Sequence, residues 1–235
     1  MKKIVSVIML VFICACSSKA GLASDDQNSK TRNYINVYEN INGSVMEIHS
    51  SGSKSSSIKD SKTLYENADA VVIAHVLSIS GSSNINEVTG EYCYAYTMGE
   101  IEILKDFKGY YQPGQIVEYR RGGGILPFEV YIKGLREESR NKLLSNIDEK
   151  PAYVEQKFEE DISIEPGKTY LMYLTKTKYN IDGTISIVGL EGGLREIDCP
   201  AFEVPEEIDL NKIRIKNNFN QTWEFADSVY GLSNK

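Results

Sequence analysis

Two neighbouring strand-like segments constrain the fold of this 235-residue chain more than any other feature of its sequence. Residues 70–80, AVVIAHVLSIS, are rich in β-branched side chains and end at Gly81, which is typical of a central strand. In residues 91–105, EYCYAYTMGEIEILK, small and apolar side chains take one set of alternate positions, and tyrosine and glutamate take the other. This two-residue period predicts a strand with one buried face, and Gly99 in its middle indicates a bulge or a bend.

Further strand-like segments follow along the chain, several of them next to turn signals such as Pro-Gly or Asp-Gly. They are residues 116–120, 151–158, 164–176 and 179–189. Between the first two of these segments, residues 134–150 are rich in helix formers and predict a surface helix. Together the segments predict a mainly β fold, a small antiparallel OB-like barrel or a sandwich, with one helical insertion.

The β-rich domain is predicted to cover residues 63–200. The remaining residues, 201–235, have mixed patterns, and we expect them to form a C-terminal extension that packs on the domain. The stretch QTWEFADSVYGL in this extension favours a short helix that packs Trp223 and Phe225.

A Ser-rich segment precedes the predicted domain. Its run SSGSKSSSIKD at residues 50–60 has no apolar period and offers too little apolar surface to become ordered by burial. We therefore expect residues 16–62 to be a flexible tether. Residues 34–48 within it have strand-like content and could instead pair with the domain.

The N-terminal residues have the pattern of an export signal. Lys2 and Lys3 are followed by an almost wholly apolar run from residue 4 to residue 16. These thirteen residues would reach roughly 20 Å as a helix, whereas a bilayer core needs roughly 30 Å. The run is therefore short for a membrane span and is typical of the apolar centre of a signal peptide.

The end of this run, Ile-Cys-Ala-Cys at residues 13–16, resembles the lipobox of bacterial lipoproteins. The resemblance implies that residues 1–15 are a signal peptide and that Cys16, the first mature residue, carries diacylglycerol on its sulfur. Two or three acyl chains would hold the protein stably on the cell membrane, facing outside the cytoplasm. Ordinary secretion, with cleavage after Ala20 or Ala23, is the alternative.

The net charge of the sequence narrows the classes of partner that the protein can bind. The formal net charge of −7 argues against a general nucleic-acid binder and against electrostatic docking to anionic lipids. Contact with the membrane is therefore expected to run through the lipid anchor.

Of the cysteines beyond the leader, Cys93 and Cys199 could pair as a disulfide or remain two buried thiols.

The order of the segments ADAVVIAHVLSI, IEILKDFKG, PGQIVEY and PGKTYLMYL resembles that of uncharacterised exported bacterial domains related to the netrin and metalloprotease-inhibitor branch of the OB-fold. The resemblance covers residues 62–192 and implies a fold rather than an activity. Inhibitors of this branch bind metal through a free N-terminal cysteine, and acylation of Cys16 would remove that chemistry. We therefore expect neither a metal ion nor another cofactor.

Two sets of residues are candidates for contact with a ligand. The first is the row Tyr92, Tyr94 and Tyr96, which could be a stacking face for a sugar or peptide, or an aromatic ladder covered by the insertion. The second is Arg121 and Arg195, each beside a glycine-rich stretch, which would frame a groove if the two loops meet. The alternative for the triple-glycine stretch is a flexible connection into the insertion.

The sequence shows no recognisable set of catalytic residues. It has no Gly-x-Ser-x-Gly elbow and no Cys-x-x-Cys, and neighbouring carboxylates such as Glu159, Glu160 and Asp161 would point apart in a strand. His75, inside an apolar strand, is expected to be a hydrogen-bonded core or half-buried residue. We therefore expect a non-enzymatic binding or protective module that engages a wall polymer, a peptide or another envelope protein. An envelope hydrolase with an unrecognised site is the alternative.

Overall fold

Strands dominate the computed structural model, which describes residues 34–50, 59–158, 161–176, 184–198 and 209–232. The strands are β1 Ile35–Asn36, β2 Val45–Ser50, β3 Ala70–Ile85, β4 Tyr92–Asp106, β5 Ile116–Gly122, β6 Gly124–Pro127, β7 Tyr153–Phe158, β8 Thr169–Thr175, β9 Ile185–Ile187, β10 Leu194–Asp198, β11 Arg214–Asn217 and β12 Thr222–Phe225. The α-helices are α1 Ser61–Asn67, α2 Phe128–Lys133, α3 Glu137–Ser145 and α4 Leu190–Gly193. Within these described ranges, no helix has the length and apolar character needed to cross a membrane.

Five of the strands close a barrel in the order β3, β4, β5, β9, β8 and back to β3. Neighbouring barrel strands are antiparallel except β5 and β9, which run parallel. β3 pairs with β8 through residues 70–75 and with β4 through residues 72–85, and four register shifts along the β3–β4 pair help these strands to bend around the barrel. The predicted mainly β fold with a small OB-like barrel is confirmed, with one parallel pair in place of a wholly antiparallel sheet.

The barrel interior is filled by the alternate side chains that the sequence pattern assigns to it. On β4, Ile101 and Ile103 are fully buried in the barrel core, and Ala95 is fully buried in the neighbouring cluster around α2. Cys93, on the same face at the start of the strand, is exposed. Gly99 is also buried and lies opposite Ile79, next to one of the register shifts of β3. The prediction of one buried face with an irregularity near Gly99 is therefore confirmed.

A second sheet of three strands lies beside the barrel, in the order β2, β7, β6. β2 and β7 run parallel, whereas β6 and β7 are antiparallel. Leu126 and Val154 from this sheet form an apolar cluster with Phe128 of α2 and with Ala95 of β4. The insertion is therefore joined to the barrel by its own small core.

The helical part of the insertion begins earlier than the predicted residues 134–150. α2 starts at Phe128 and buries this side chain and Tyr131, three positions apart on one side of the helix. Val130 and Ile132 favour a strand by propensity, and the tertiary burial of their neighbours overrides that preference. α3 has no buried residue, as a surface helix should.

The expectation of a flexible tether over residues 16–62 is wrong for residues 34–50. β1 pairs in parallel with β3, and β2 pairs with β7 through all six of its residues. Met46 and Ile48 of β2 pack against the core of the insertion, so the strand-like content of this segment reflects real pairing. The remainder of the predicted tether lies outside the described residues except for positions 59–62.

The C-terminal strands extend the barrel sheet beyond β10. β11 pairs with β10 and β12 pairs with β11, and Ile215 shares an apolar cluster with Ile73 of β3. The short helix predicted for QTWEFADSVYGL is wrong for Thr222–Phe225, which form strand β12; only Ala226–Ser228 form a turn of 3-10 helix. Trp223 and Phe225 alternate with Glu224 and remain 39% and 54% exposed, so neither aromatic ring is packed away as predicted.

Candidate ligand-binding cleft

A cavity of about 430 Å³ opens on the outer side of β3, β4 and β5. Its wall includes Ser78 and Ser80 of β3, Met98 and Glu100 of β4, and Glu118 and Arg120 of β5. Met98 and the charged side chains of β4 and β5 in this wall have even numbers, because the even-numbered residues of both strands face outward. Gly99 and Tyr119 from the inward-facing set also border the cleft. We call this cavity the β3–β5 cleft.

Gly99 lies in the wall of the cleft where the backbone of β3 approaches β4 closely. A Cβ atom at position 99 would overlap the carbonyl oxygen of Ser78 and would lie 2.9 Å from the ring of Tyr119. The Tyr119 hydroxyl donates to the same Ser78 carbonyl at 3.2 Å. Burial raises the pKa of Tyr119 above its ordinary value, so the phenol stays a neutral donor. This part of the cleft is therefore held in place by the barrel core.

Two carboxylates face each other in the cleft. Glu100 and Glu118 are directly opposite in the antiparallel β4–β5 register, and both residues are exposed. Like charges in this position destabilise a sheet, by up to about 1 kcal/mol. In the part of the chain that the structure describes, no lysine or arginine forms an ion pair with either carboxylate. The folded protein thus keeps two adjacent negative charges on this surface.

Arg120 supplies the positive charge of the cleft. Its guanidinium pairs with Glu87, which follows β3 in the turn to β4 and also lines the cleft. The same guanidinium lies 5.2 Å from the ring centroid of Tyr96. Because Glu87 neutralises Arg120, the cleft as a whole keeps the negative charge of Glu100 and Glu118.

The predicted tyrosine row does not form one open stacking face. Tyr94 stacks on Phe158 of β7, with the two ring centroids 4.4 Å apart. Tyr96 contacts Arg120 and donates its hydroxyl to a backbone carbonyl of β3 at 2.9 Å. Tyr92 remains 48% exposed. Two of the three rings are thus engaged by other side chains, which agrees better with a covered aromatic ladder than with a platform for sugars.

Arg121 is buried in an ion pair with Asp161 and does not line the cleft. Its guanidinium also donates to the carbonyl of Ile162 at 3.1 Å. Burial raises the pKa of Asp161, and the charge of Arg121 opposes this rise. The pair lines a smaller cavity of about 100 Å³ next to the glycine-rich bend after β5.

Arg195 is buried in a different ion pair, with Glu224 of β12. Its Nε donates to the carbonyl of Lys216 at 2.9 Å, and its side chain lines a separate cavity of about 90 Å³. The structure therefore does not bring Arg195 and Arg121 together, and the predicted groove between them is not formed.

The triple-glycine stretch is a tight bend that carries the chain from β5 in the barrel to β6 in the second sheet. The N–H of Gly123 donates to the carbonyl of Ala95 at 2.7 Å, and the Thr97 hydroxyl donates to the carbonyl of Gly123 at 2.9 Å. Gly123 has a φ of +95°, which side chains other than glycine rarely adopt. The stretch is therefore a hydrogen-bonded bend rather than a loose connection, and its three glycines line the cavity of about 100 Å³ beside Arg121.

His75 is a hydrogen-bonded strand residue, as expected. Its Nδ1 lies 2.9 Å from the Thr169 hydroxyl, and its Nε2 lies 2.8 Å from the Tyr34 hydroxyl. Over the described ranges, no group of three or more His, Cys, Asp or Glu side chains is placed to hold a metal ion.

Of the three cysteines with a predicted modification, only Cys93 lies within the described residues. Cys93 is an exposed thiol on β4, and partial burial of its side chain raises the pKa of that thiol. Its predicted disulfide partner Cys199 lies outside the described residues, as does the predicted lipid-bearing Cys16. The disulfide and the lipid anchor therefore stay predictions.

The cleft is not predicted by the sequence, although one of its walls is visible in the alternating pattern of β4. The alternation in β4 correctly predicts that Glu100 lies on the outer face. The register that sets Glu118 opposite Glu100 depends on two separate segments, and neither segment specifies it alone. The contact of Glu87 with Arg120 depends on the same register.

Comparisons with known proteins identify no family for this chain. No protein-family model, no curated protein and no solved structure matches the chain. The fold itself defines the class: a mainly β protein with a closed, five-stranded mixed barrel and a cleft on its outer face.

Proposed function

We propose that this protein is a membrane-anchored surface lipoprotein whose barrel acts as a non-enzymatic binding module. The observation that carries the proposal is the β3–β5 cleft on the outer side of three consecutive barrel strands. OB-folds bind their ligands on the face formed by the second and third barrel strands, which here are β4 and β5. The cleft therefore lies where barrels of this architecture hold ligands.

The cleft has the size and surface of a ligand site. Ligand pockets commonly enclose about 300–1,000 Å³. The cleft encloses about 430 Å³, and it combines the hydroxyl of Ser80 and the carboxylates of Glu100 and Glu118 with the apolar side chain of Met98. This mixture suits part of a wall polymer, a peptide or another envelope protein. Its acidic character disfavours nucleic acid.

The N-terminal sequence supports the location. The lipobox-like Ile-Cys-Ala-Cys places the lipid on Cys16, and nineteen positions separate Cys16 from Ile35. Ile35 belongs to β1 and lines the cleft. The proposed anchor and the proposed binding site therefore lie close together along the chain.

Photo-crosslinking in intact cells tests both parts of the proposal. The photoreactive amino acid p-benzoyl-phenylalanine replaces Ser80 in the cleft or, as a matched control, Lys142 on α3, which is also exposed. A ligand of the cleft should give a covalent adduct at position 80 that is absent at position 142. The adduct should be found with the membranes, and Cys16→Ser should release it from them because the acyl chains are lost.

Identical adducts at both positions, or no adduct at Ser80, would exclude the proposed role of the cleft as a binding site in cells. A Cys16→Ser protein that is fully processed and still partitions with membranes would exclude the lipid anchor. The two results are independent, because the crosslinked adduct reports contact with a ligand and the membrane fractionation of Cys16→Ser reports location.

A further inference from the structure

We infer that the β3–β5 cleft selects a cationic group, the ammonium group of a lysine side chain in a partner peptide. This inference rests on the proposed binding role of the cleft and adds the chemistry of its ligand. The cavity provides the space for a ligand, and the charges and apolar surface of its wall indicate what kind of group would fit there.

The balance of charge in the wall favours a cation. Among the described residues, four charged side chains line the cleft. Glu87 and Arg120 neutralise each other as an ion pair, which leaves Glu100 and Glu118 without a compensating charge. An anionic ligand would add to the repulsion between these two carboxylates, whereas a cation between them would remove it.

The strand register sets the two glutamates side by side, so that both carboxylates can reach one ammonium group. Directly opposed residues of antiparallel strands have Cβ atoms about 4.5–5.5 Å apart, and Glu100 and Glu118 are such a pair. An ammonium group has three donors, so it can donate to both carboxylates at once. A guanidinium instead matches the two oxygens of a single carboxylate in one plane. Two separate carboxylates therefore favour lysine over arginine.

The uncharged part of the wall favours an alkylammonium group over a bare metal ion. Met98 and Ile35 provide apolar surface in the same cleft, and Ile35 is 59% exposed. Lysine has a flexible four-carbon stem that it buries along apolar surface while its charge stays near polar groups. A hydrated inorganic cation would leave that apolar surface uncovered.

Isothermal titration calorimetry on the purified mature protein tests the inference with three probes: acetyl-Lys-Ala-Lys-amide, the matched acetyl-Glu-Ala-Glu-amide, and spermidine. At low ionic strength the lysine peptide should bind and the glutamate peptide should not. Added salt should weaken the binding because it screens exposed carboxylates. Glu118→Gln should weaken binding of the lysine peptide about three- to tenfold, because one of two charge-assisted contacts is lost.

Thermal unfolding gives a second readout that a merely structural role of Glu118 would not produce. Without ligand, Glu118→Gln should raise the Tm, because the repulsion from Glu100 is removed. With the lysine peptide, the Tm of the unsubstituted protein should rise more than that of the variant. Glu149→Gln, in the loop after α3, removes an exposed charge that neither lines the cleft nor lies in the first turn of a helix; it is the control and should change neither readout.

Equal binding of the lysine and glutamate peptides, or an affinity that Glu118→Gln leaves unchanged, would overturn the inference. Spermidine that binds as tightly as the lysine peptide would overturn the assignment to a peptide. A neutral or acidic partner captured at Ser80 would overturn the choice of a cation and leave the binding role intact. If the lysine peptide binds but no adduct forms at Ser80, the proposed cellular role fails and the charge selectivity stands.

Discussion

Arg121 and Asp161 form an ion pair whose side chains are only 4% and 6% exposed. Removing these charges from water costs several kcal/mol for each, and their attraction offsets that cost only while both are present.

The sequence suggests a ligand-facing role for Arg121 because it precedes three glycines. Successive strand residues face opposite sides, so Arg120 reaches the cleft while Arg121 points into the protein.

We expect Asp161→Ala to lower the free energy of unfolding by about 3–5 kcal/mol, because it leaves the guanidinium of Arg121 buried without its partner. The double variant Arg121→Met/Asp161→Leu should be less destabilised than this single variant, since no buried charge remains. Urea unfolding measures the free energy of unfolding of both variants.

Arg214→Met is the matched control for this test. It breaks the Arg214–Asp198 pair, whose side chains are 51% and 44% exposed, and it should cost less than about 1 kcal/mol. A double variant as unstable as Asp161→Ala would show that the cost does not come from an unpaired charge.

Among the elements, β4 and β2 show how far the sequence can predict this fold. The buried face of β4 is predictable because its two-residue period extends over fifteen residues of one segment. β2 is six residues long, and its partner β7 lies more than one hundred positions away, so its local signal is weak. The parallel pair of β5 and β9 that helps to close the barrel is non-local in the same way. The outer face containing Glu100 is therefore predictable, whereas the cleft around it is not.

The close approach of β3 to β4 depends on Gly99. Gly99→Ala should lower the free energy of unfolding by about 2–3 kcal/mol, because the added methyl group overlaps the Ser78 backbone and crowds Tyr119. Urea unfolding, with near-ultraviolet circular dichroism as the probe of tyrosine packing, measures this effect. Gly81→Ala is the control, because a Cβ there would meet the Met98 side chain at an ordinary 4.0 Å. Equal stability of the two variants would refute the role of Gly99.

At the scale of the whole molecule, residues 34–50 join the barrel to the second sheet. β1 pairs with β3 of the barrel, and β2 pairs with β7 of the second sheet. Between them, the Tyr38 hydroxyl forms hydrogen bonds with the side chains of Ser82 and Thr97 and accepts one from the N–H of Ile125 at 3.4 Å. The segment is therefore a structural part of the folded unit.

Two truncated chains test this structural role. A chain of residues 59–235 should unfold at a lower urea concentration than a chain of residues 34–235, with a loss of about 2 kcal/mol or more. The shorter chain lacks the partly buried side chains of Met46 and Ile48 and the hydrogen bonds of Tyr38. Equal midpoints for the two chains would show that the segment contributes nothing to stability.

With the proposed lipid anchor, the length of chain before β1 would limit how far the cleft can lie from the bilayer. If Cys16 carries the lipid, eighteen residue steps connect the outer leaflet to Tyr34, just before β1. However these residues are arranged, they cannot span more than about 65 Å. With that anchor, an occupant of the cleft would have to come within this distance of the headgroups, as the juxtamembrane stretch of a neighbouring envelope protein does. Polymers confined to the outer layers of a thick wall would stay beyond its reach.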